Sequence, residues 1–89
     1  MAVDPWAGHI RAVLYGIQFE PDPLDGIDRI LEQVVRGGAL GATPMQYLES
    51  IQSALDSGKP LAGLLPQPHS EETIRRYLRE LANRIQAII

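Results

Sequence analysis

The chain has no cysteine, so disulfides, thiolate metal centres and cysteine nucleophiles are excluded at the outset. An excess of positive charge is missing too. The 8 Lys and Arg against 11 Asp and Glu leave a net charge of -3, without the basic stripe that neutralising a phosphate backbone requires. Nucleic-acid binding is therefore not expected. Long apolar runs are also lacking. The longest near the N-terminus is Ala12 to Tyr15, far short of the roughly 20 residues that cross a bilayer. Met1 to Trp6 contains no basic segment of the kind that opens a signal peptide. These lengths predict a cytoplasmic protein that does not engage membranes.

Chemistry-bearing patterns are equally sparse. Only two histidines occur, His9 and His69, and they are too isolated to predict a metal site. Ser50, Ser53, Ser57 and Ser70 lack the flanking glycines of a nucleophile elbow. The stretch Gly37 to Gly41 has the glycines of a phosphate loop but not its lysine, spacing or preceding strand. The expectation is a protein that is not an enzyme and holds no cofactor and no metal.

What is present is helical punctuation. With 89 residues, 45% of them hydrophobic, the chain is the size of one small globular domain spanning 1–89. Asp4-Pro5, Asp22-Pro23 and Thr43-Pro44 each place a capping side chain before a proline that needs no helical donor. Apolar residues at spacings of three and four follow each start, and no segment alternates with the period of two expected of a strand. Helices are predicted over about 5–17, 23–36 and 44–57. Trp6, Ala7, Ile10, Val13, Leu14 and Ile17 form the first apolar stripe, and Leu24, Ile27, Ile30, Leu31, Val34 and Val35 the second. Met45, Leu48, Ile51 and Leu55 form the third. Gly37-Gly38 and Gly58 supply stops, and Leu40 is expected to dip into the core.

Between Gly58 and His69 lies a connector rich in proline and leucine. Pro60, Pro66 and Pro68 forbid a long helix there. Leu61, Leu64 and Leu65 predict that it packs onto the bundle as one short turn. Ser70 then caps a fourth helix over about 71–88, with Glu71 and Glu72 at the positive end of its dipole. Its stripe, Ile74, Tyr77, Leu78, Leu81, Ala82, Ile85 and Ile88, is the longest in the chain. The fold class is all-α, a small four-helix bundle-like domain with a Pro/Leu-rich connector before the last helix.

Two charge clusters and two tyrosines are candidates for function. Glu20, Asp22, Asp25, Asp28 and Glu32 place five acids within thirteen residues, and Asp25, Asp28 and Glu32 share one helix face. Such a face can steer and orient a cationic partner. Its structural alternative is a solvated face laced by Asp25–Arg29 and Glu32–Arg36 pairs. Arg75, Arg76, Arg79 and Arg84 gather on the last helix, where pairing of Glu71 with Arg75, Glu72 with Arg76 and Arg76 with Glu80 accounts for most of the charge. A DNA-reading third helix is disfavoured because residues 44–57 contain Glu49 and Asp56 and no Lys or Arg. Trp6 and Tyr77 fall on apolar stripes. Tyr15 and Tyr47 are displaced from theirs, and a surface tyrosine is the kind of residue that anchors an interface.

The segment Leu64 to Leu78, preceded by Tyr47 to Leu55, resembles the small helical immunity proteins of bacterial contact-dependent growth inhibition systems, in particular the group paired with ribonuclease A-like toxin domains. The resemblance covers roughly residues 23 to 85 and lies in the pattern and order of elements. It implies a cytoplasmic, non-catalytic protein that blocks the active site of a toxin. A ribonuclease is usually basic because it binds phosphate, so the expected partner is a cognate basic nuclease domain. The expected contacts are Glu20, Asp22, Asp25, Asp28 and Glu32, with Tyr15 or Tyr47 as anchor, on a monomer or weak homodimer. The competing expectation is a helical adaptor that dimerises or recruits another helix through apolar residues near Leu40 or through Ala87-Ile88-Ile89.

Overall fold

The computed structural model of the protein describes residues 4–36 and 41–89. Four α-helices carry the fold: α1 (Ala7–Tyr15), α2 (Ile27–Val35), α3 (Pro44–Asp56) and α4 (Glu71–Ile88). Short 3-10 turns at Pro23–Gly26 and Ala62–Leu64 precede α2 and interrupt the connector. No strand occurs among the described residues, so the all-α reading holds. The expected stop at Gly37-Gly38 and the expected inward turn of Leu40 lie outside the described residues.

The third and fourth helices begin as their sequences specify. Thr43 Oγ1 accepts from the Gln46 N–H at 3.2 Å while Gln46 Oε1 accepts from the Thr43 N–H at 2.8 Å, a reciprocal capping box. Ser70 Oγ accepts from the Thr73 N–H at 3.1 Å. At the far end of α3 the backbone turns at Gly58, whose φ of 71° is the left-handed conformation that suits glycine.

The first two helices are shorter than the pattern predicted. The Asp4 carboxylate does not cap α1. It reaches Lys59 Nζ at 2.8 Å, and residues 4–7 form a turn in which the Ala7 N–H donates to the Asp4 carbonyl. Beyond Tyr15 the chain tightens into successive turns, with Ile17 donating to Leu14, Gln18 to Tyr15 and Glu20 to Ile17. Asp22 does cap its helix start, accepting from the Leu24 N–H at 3.0 Å, but the first four residues wind as a 3-10 turn. There the Gly26 backbone approaches so closely that a β-carbon on it would stand 3.1 Å from Ile17 and 3.3 Å from Glu20.

Buried side chains from all four helices and from the connector form one apolar cluster. The largest contribution comes from α4, with Ile74, Tyr77, Leu78, Leu81, Ala82 and Ile85. That helix packs on α3 and α2, and α1 packs on α3. Leu61 of the connector is fully buried, with Leu64 and Leu65 packed partly buried against the same cluster, as their hydrophobicity predicted. Trp6 and Tyr77 are core residues, and the Tyr77 hydroxyl donates to the Val13 carbonyl at 2.9 Å. Burial pushes the Tyr77 phenol far above its ordinary range, with the positive charge of Arg29 opposing in part. Val35, Met45 and Ile88, all expected inside, are about half exposed. For α3 the reason is that it is covered by α1 as well as by α4, which centres its buried face on Tyr47, Ile51 and Ala54 and leaves Met45 at the edge.

One polar arrangement fastens the connector. The Glu71 carboxylate accepts from the backbone N–H groups of Leu61 at 2.8 Å and Ala62 at 2.8 Å, and from Arg75 Nε at 2.9 Å. Arg75 in turn donates to the carbonyls of Lys59 at 2.7 Å and Leu55 at 3.3 Å. A single Glu–Arg pair thus satisfies two donors and one acceptor of a segment whose prolines remove regular partners, together with the Leu55 carbonyl near the end of α3. Partial burial raises the Glu71 carboxyl, but the hydrogen bonds from Ala62 and Leu61 and the Arg75 charge outweigh it, and the group sits below its ordinary value of 4.5. A carboxyl lowered on folding contributes stability above its unfolded value, and that contribution is lost as pH falls through the lower folded value. Glu71→Gln is expected to destabilise the protein at neutral pH by about 1–2 kcal/mol, the scale of a charged hydrogen bond at a partly exposed site. Thermal melts should also show a shallower loss of stability for the variant than for wild type on acidification below about pH 4.5.

Candidate functional site

The five acids that the sequence groups together divide in the structure. Asp22, Asp25, Asp28 and Glu32 are exposed, and Glu20 is half-buried. Glu20 pairs with Arg29 at 3.1 Å, and the same guanidinium donates to the Gly16 carbonyl at 2.6 Å. Asp28 pairs with Arg84 of α4, which also holds Glu80 at 3.1 Å, and Glu32 pairs with Arg36 at 2.7 Å. The Glu32–Arg36, Glu71–Arg75 and Glu72–Arg76 pairs stand as spaced, the last at a loose 3.8 Å. The expected Asp25–Arg29 and Arg76–Glu80 pairs do not form. Arg29 turns to Glu20 and Glu80 turns to Arg84, because contacts between elements compete with those one turn along the helix. Asp25 has no ion-pair or hydrogen-bond partner for its side chain among the described residues.

The two tyrosines separate as well. Tyr15 is 69% exposed, as an interface residue would be. Tyr47 is only 1% exposed, which corrects its reading as a surface anchor. The cause is the packing of α1 over α3, which sets the His9 ring against Tyr47 at a tilt of 41° with centroids 5.0 Å apart. Beside that contact His9 Nδ1 and Ser50 Oγ share a hydrogen bond of 2.6 Å. This serine–histidine pair joins residues 41 apart, so no local spacing announced it. Ser50 lies in the middle of α3, where the neighbouring backbone N–H groups are committed to the helix and cannot form an oxyanion hole. The pair therefore ties α1 to α3. The other histidine, His69, orients the connector: its Nε2 donates to the Ile17 carbonyl at 3.3 Å and its N–H donates to Gln67 Oε1 at 2.6 Å.

Tyr15 lines a groove of about 390 Å³ between α1 and α2, with Ala12, Val13 and Gly16 on one side and Ile30, Gln33 and Val34 on the other. Tyr47 forms part of its lining. At about 100° per residue, Gln33 is turned about 100° from Glu32 and about 140° from Asp28. Asp28 and Glu32 thus face away from the groove, toward α4. The acids and Tyr15 form two surfaces, an acidic edge along α2 and an apolar groove between α1 and α2, meeting only near Glu20 and Arg29.

Phe19, 90% exposed in the turn after α1, is the surface residue that reading the sequence passed over. Its signal was available, since it is the chain's one phenylalanine and falls on no apolar stripe. Among the described residues no cluster of metal-ligating side chains occurs, and no helix is long and apolar enough to cross a membrane. Comparison with protein-family models, with curated proteins and with solved structures gave no match to the chain.

Tyr15→Ala and Tyr47→Ala should separate surface from core. The first is expected to leave stability within about 0.5 kcal/mol, and the second to cost about 3–5 kcal/mol. Chemical denaturation of both variants checks this.

Proposed function

We infer that the protein is a non-catalytic binding module that docks its acidic edge on a basic partner protein, and that it serves as the immunity partner of a bacterial ribonuclease toxin. The observation that carries the docking reading is the edge itself: Asp22, Asp25, Asp28 and Glu32 project into solvent within one 3-10 turn and the helix that follows it. Their intramolecular pairs are exposed, and exposed ion pairs are worth only about 0–1 kcal/mol, so lysines or arginines of a partner can displace them at little cost. Asp25 needs no displacement. The toxin class rests on the sequence resemblance of the connector and α4, and an acidic edge suits a cleft built to hold phosphates.

The test couples charge reversal to protection. The C-terminal domain encoded in the adjacent reading frame is produced in bacteria with and without this chain, and the purified pair is followed by association kinetics. Growth arrest relieved by the chain is expected, with an association rate that falls as salt rises. Asp25→Lys combined with Asp28→Lys should slow association at low salt by at least about tenfold. An adjacent domain that does not arrest growth removes the toxin reading, and unchanged kinetics in the double variant remove the acidic edge.

A further inference from the structure

The groove face presents two features that fit each other. One is the apolar groove itself, whose volume is within the range of small-ligand sites and ample for a single ring. The other is Phe19, the most exposed large hydrophobic residue described. Phe19 follows Gly16 of the groove lining by three residues, so their α-carbons are at most about 11 Å apart. A projecting ring therefore stands beside a hole that can receive one. The rim between them carries one carboxylate and one guanidinium, Glu20 and Arg29, already paired at 3.1 Å. That rim has no net charge to repel its own image across a two-fold axis. The exposed acids Asp28 and Glu32 are turned away.

We propose that this face is a self-association surface, in which Phe19 of each copy enters the groove between α1 and α2 of the other. A two-fold interface requires one patch that is complementary to itself, and a ring and a groove side by side satisfy that requirement. Tyr15, on the groove lip, closes over the inserted ring. An interface that took the customary tenth of the 5207 Å² surface from each copy would bury on the order of 1,000 Å² in all, the size of a weak, reversible dimer. Its salt response separates it from the docking reading above, on which it does not depend. Each copy carries a net charge of -3, so added salt relieves repulsion and tightens the dimer, whereas it weakens association with a basic partner.

Sedimentation velocity of the full chain over a range from about 10 µM to 1 mM, which covers weak reversible association, tests the proposal. Wild type is expected to exchange between monomer and dimer, with more dimer at high salt. Phe19→Ala, at an exposed position that leaves the fold intact, should weaken dimerisation by more than about 30-fold. Ala12→Phe fills the groove from within and should do the same, with circular dichroism confirming its fold. Mixing the two variants should restore part of the association, because one ring and one open groove can still meet. Wild type that stays monomeric throughout, or Phe19→Ala that dimerises as wild type does, overturns the proposal. If Ala12→Phe does not fold, Gln33→Lys, which places a charge at the exposed groove edge, takes its place with the same expected loss.

Discussion

The ion pair between Glu71 and Arg75 is the contact on which the rest of the fold depends, because it fastens the least regular segment to the most regular one. A connector with three prolines cannot satisfy its backbone through a helix or a sheet. The first turns of α4 do it instead, holding the N–H groups of Leu61 and Ala62 and the carbonyls of Leu55 and Lys59. That attachment seats Leu61 in the core and fixes the path of the chain from α3 to α4. Gln67 adds a local clamp, donating to the carbonyls of Ala62 and His69 and accepting from the His69 N–H. The segment is short of regular hydrogen bonds, yet no buried side-chain polar atom among the described residues is left without a partner.

Local chemistry was legible where it acts over one helical turn. The capping box at Thr43, the cap at Ser70, the left-handed Gly58 and the stripe of α4 from Ile74 to Ile85 all depend on residues within four positions of each other, and each is found as the sequence implies, while Ile88 at the end of that stripe is half exposed. The limits of α1 and α2 were not legible, because residues from other parts of the chain decide them. Asp4 is drawn to Lys59, and the turn at Gly26 is pressed against Ile17. The same distinction explains the tyrosines. Tyr47 lies off the stripe its neighbours define, and only the arrival of α1 on that side of α3 buries it. In the acidic segment the spacing identified the Arg36 partner of Glu32 but not those of Glu20 and Asp28, since Arg29 turns to Glu20 and Arg84 comes from 56 positions away.

The surface is divided by function-bearing chemistry into an edge and a groove. In the proposals above, charge on the α2 edge acts at a distance on a cationic protein, and the groove acts only on contact with an aromatic ring. Arg29 stands between them, bonded to Glu20 on one side and to the Gly16 carbonyl on the other, so it holds the turn after α1 against α2 and gives the two surfaces a fixed relation. His9 and Ser50 fix α1 against α3 in a similar way.

The polar contacts of the N-terminal third have a consequence for how the chain is made. Asp4 meets Lys59, Arg11 donates to the Leu64 carbonyl, Val13 receives the Tyr77 hydroxyl, Ile17 receives His69 and Gln18 donates to the Pro66 carbonyl. Every one of these partners is synthesised at least 48 residues later. An emerging chain therefore carries α1 for at least 48 residues before these polar partners exist, with α3 the first helix able to cover its apolar stripe. The polar contacts of α1 are completed by the connector and α4, and its native packing awaits their synthesis.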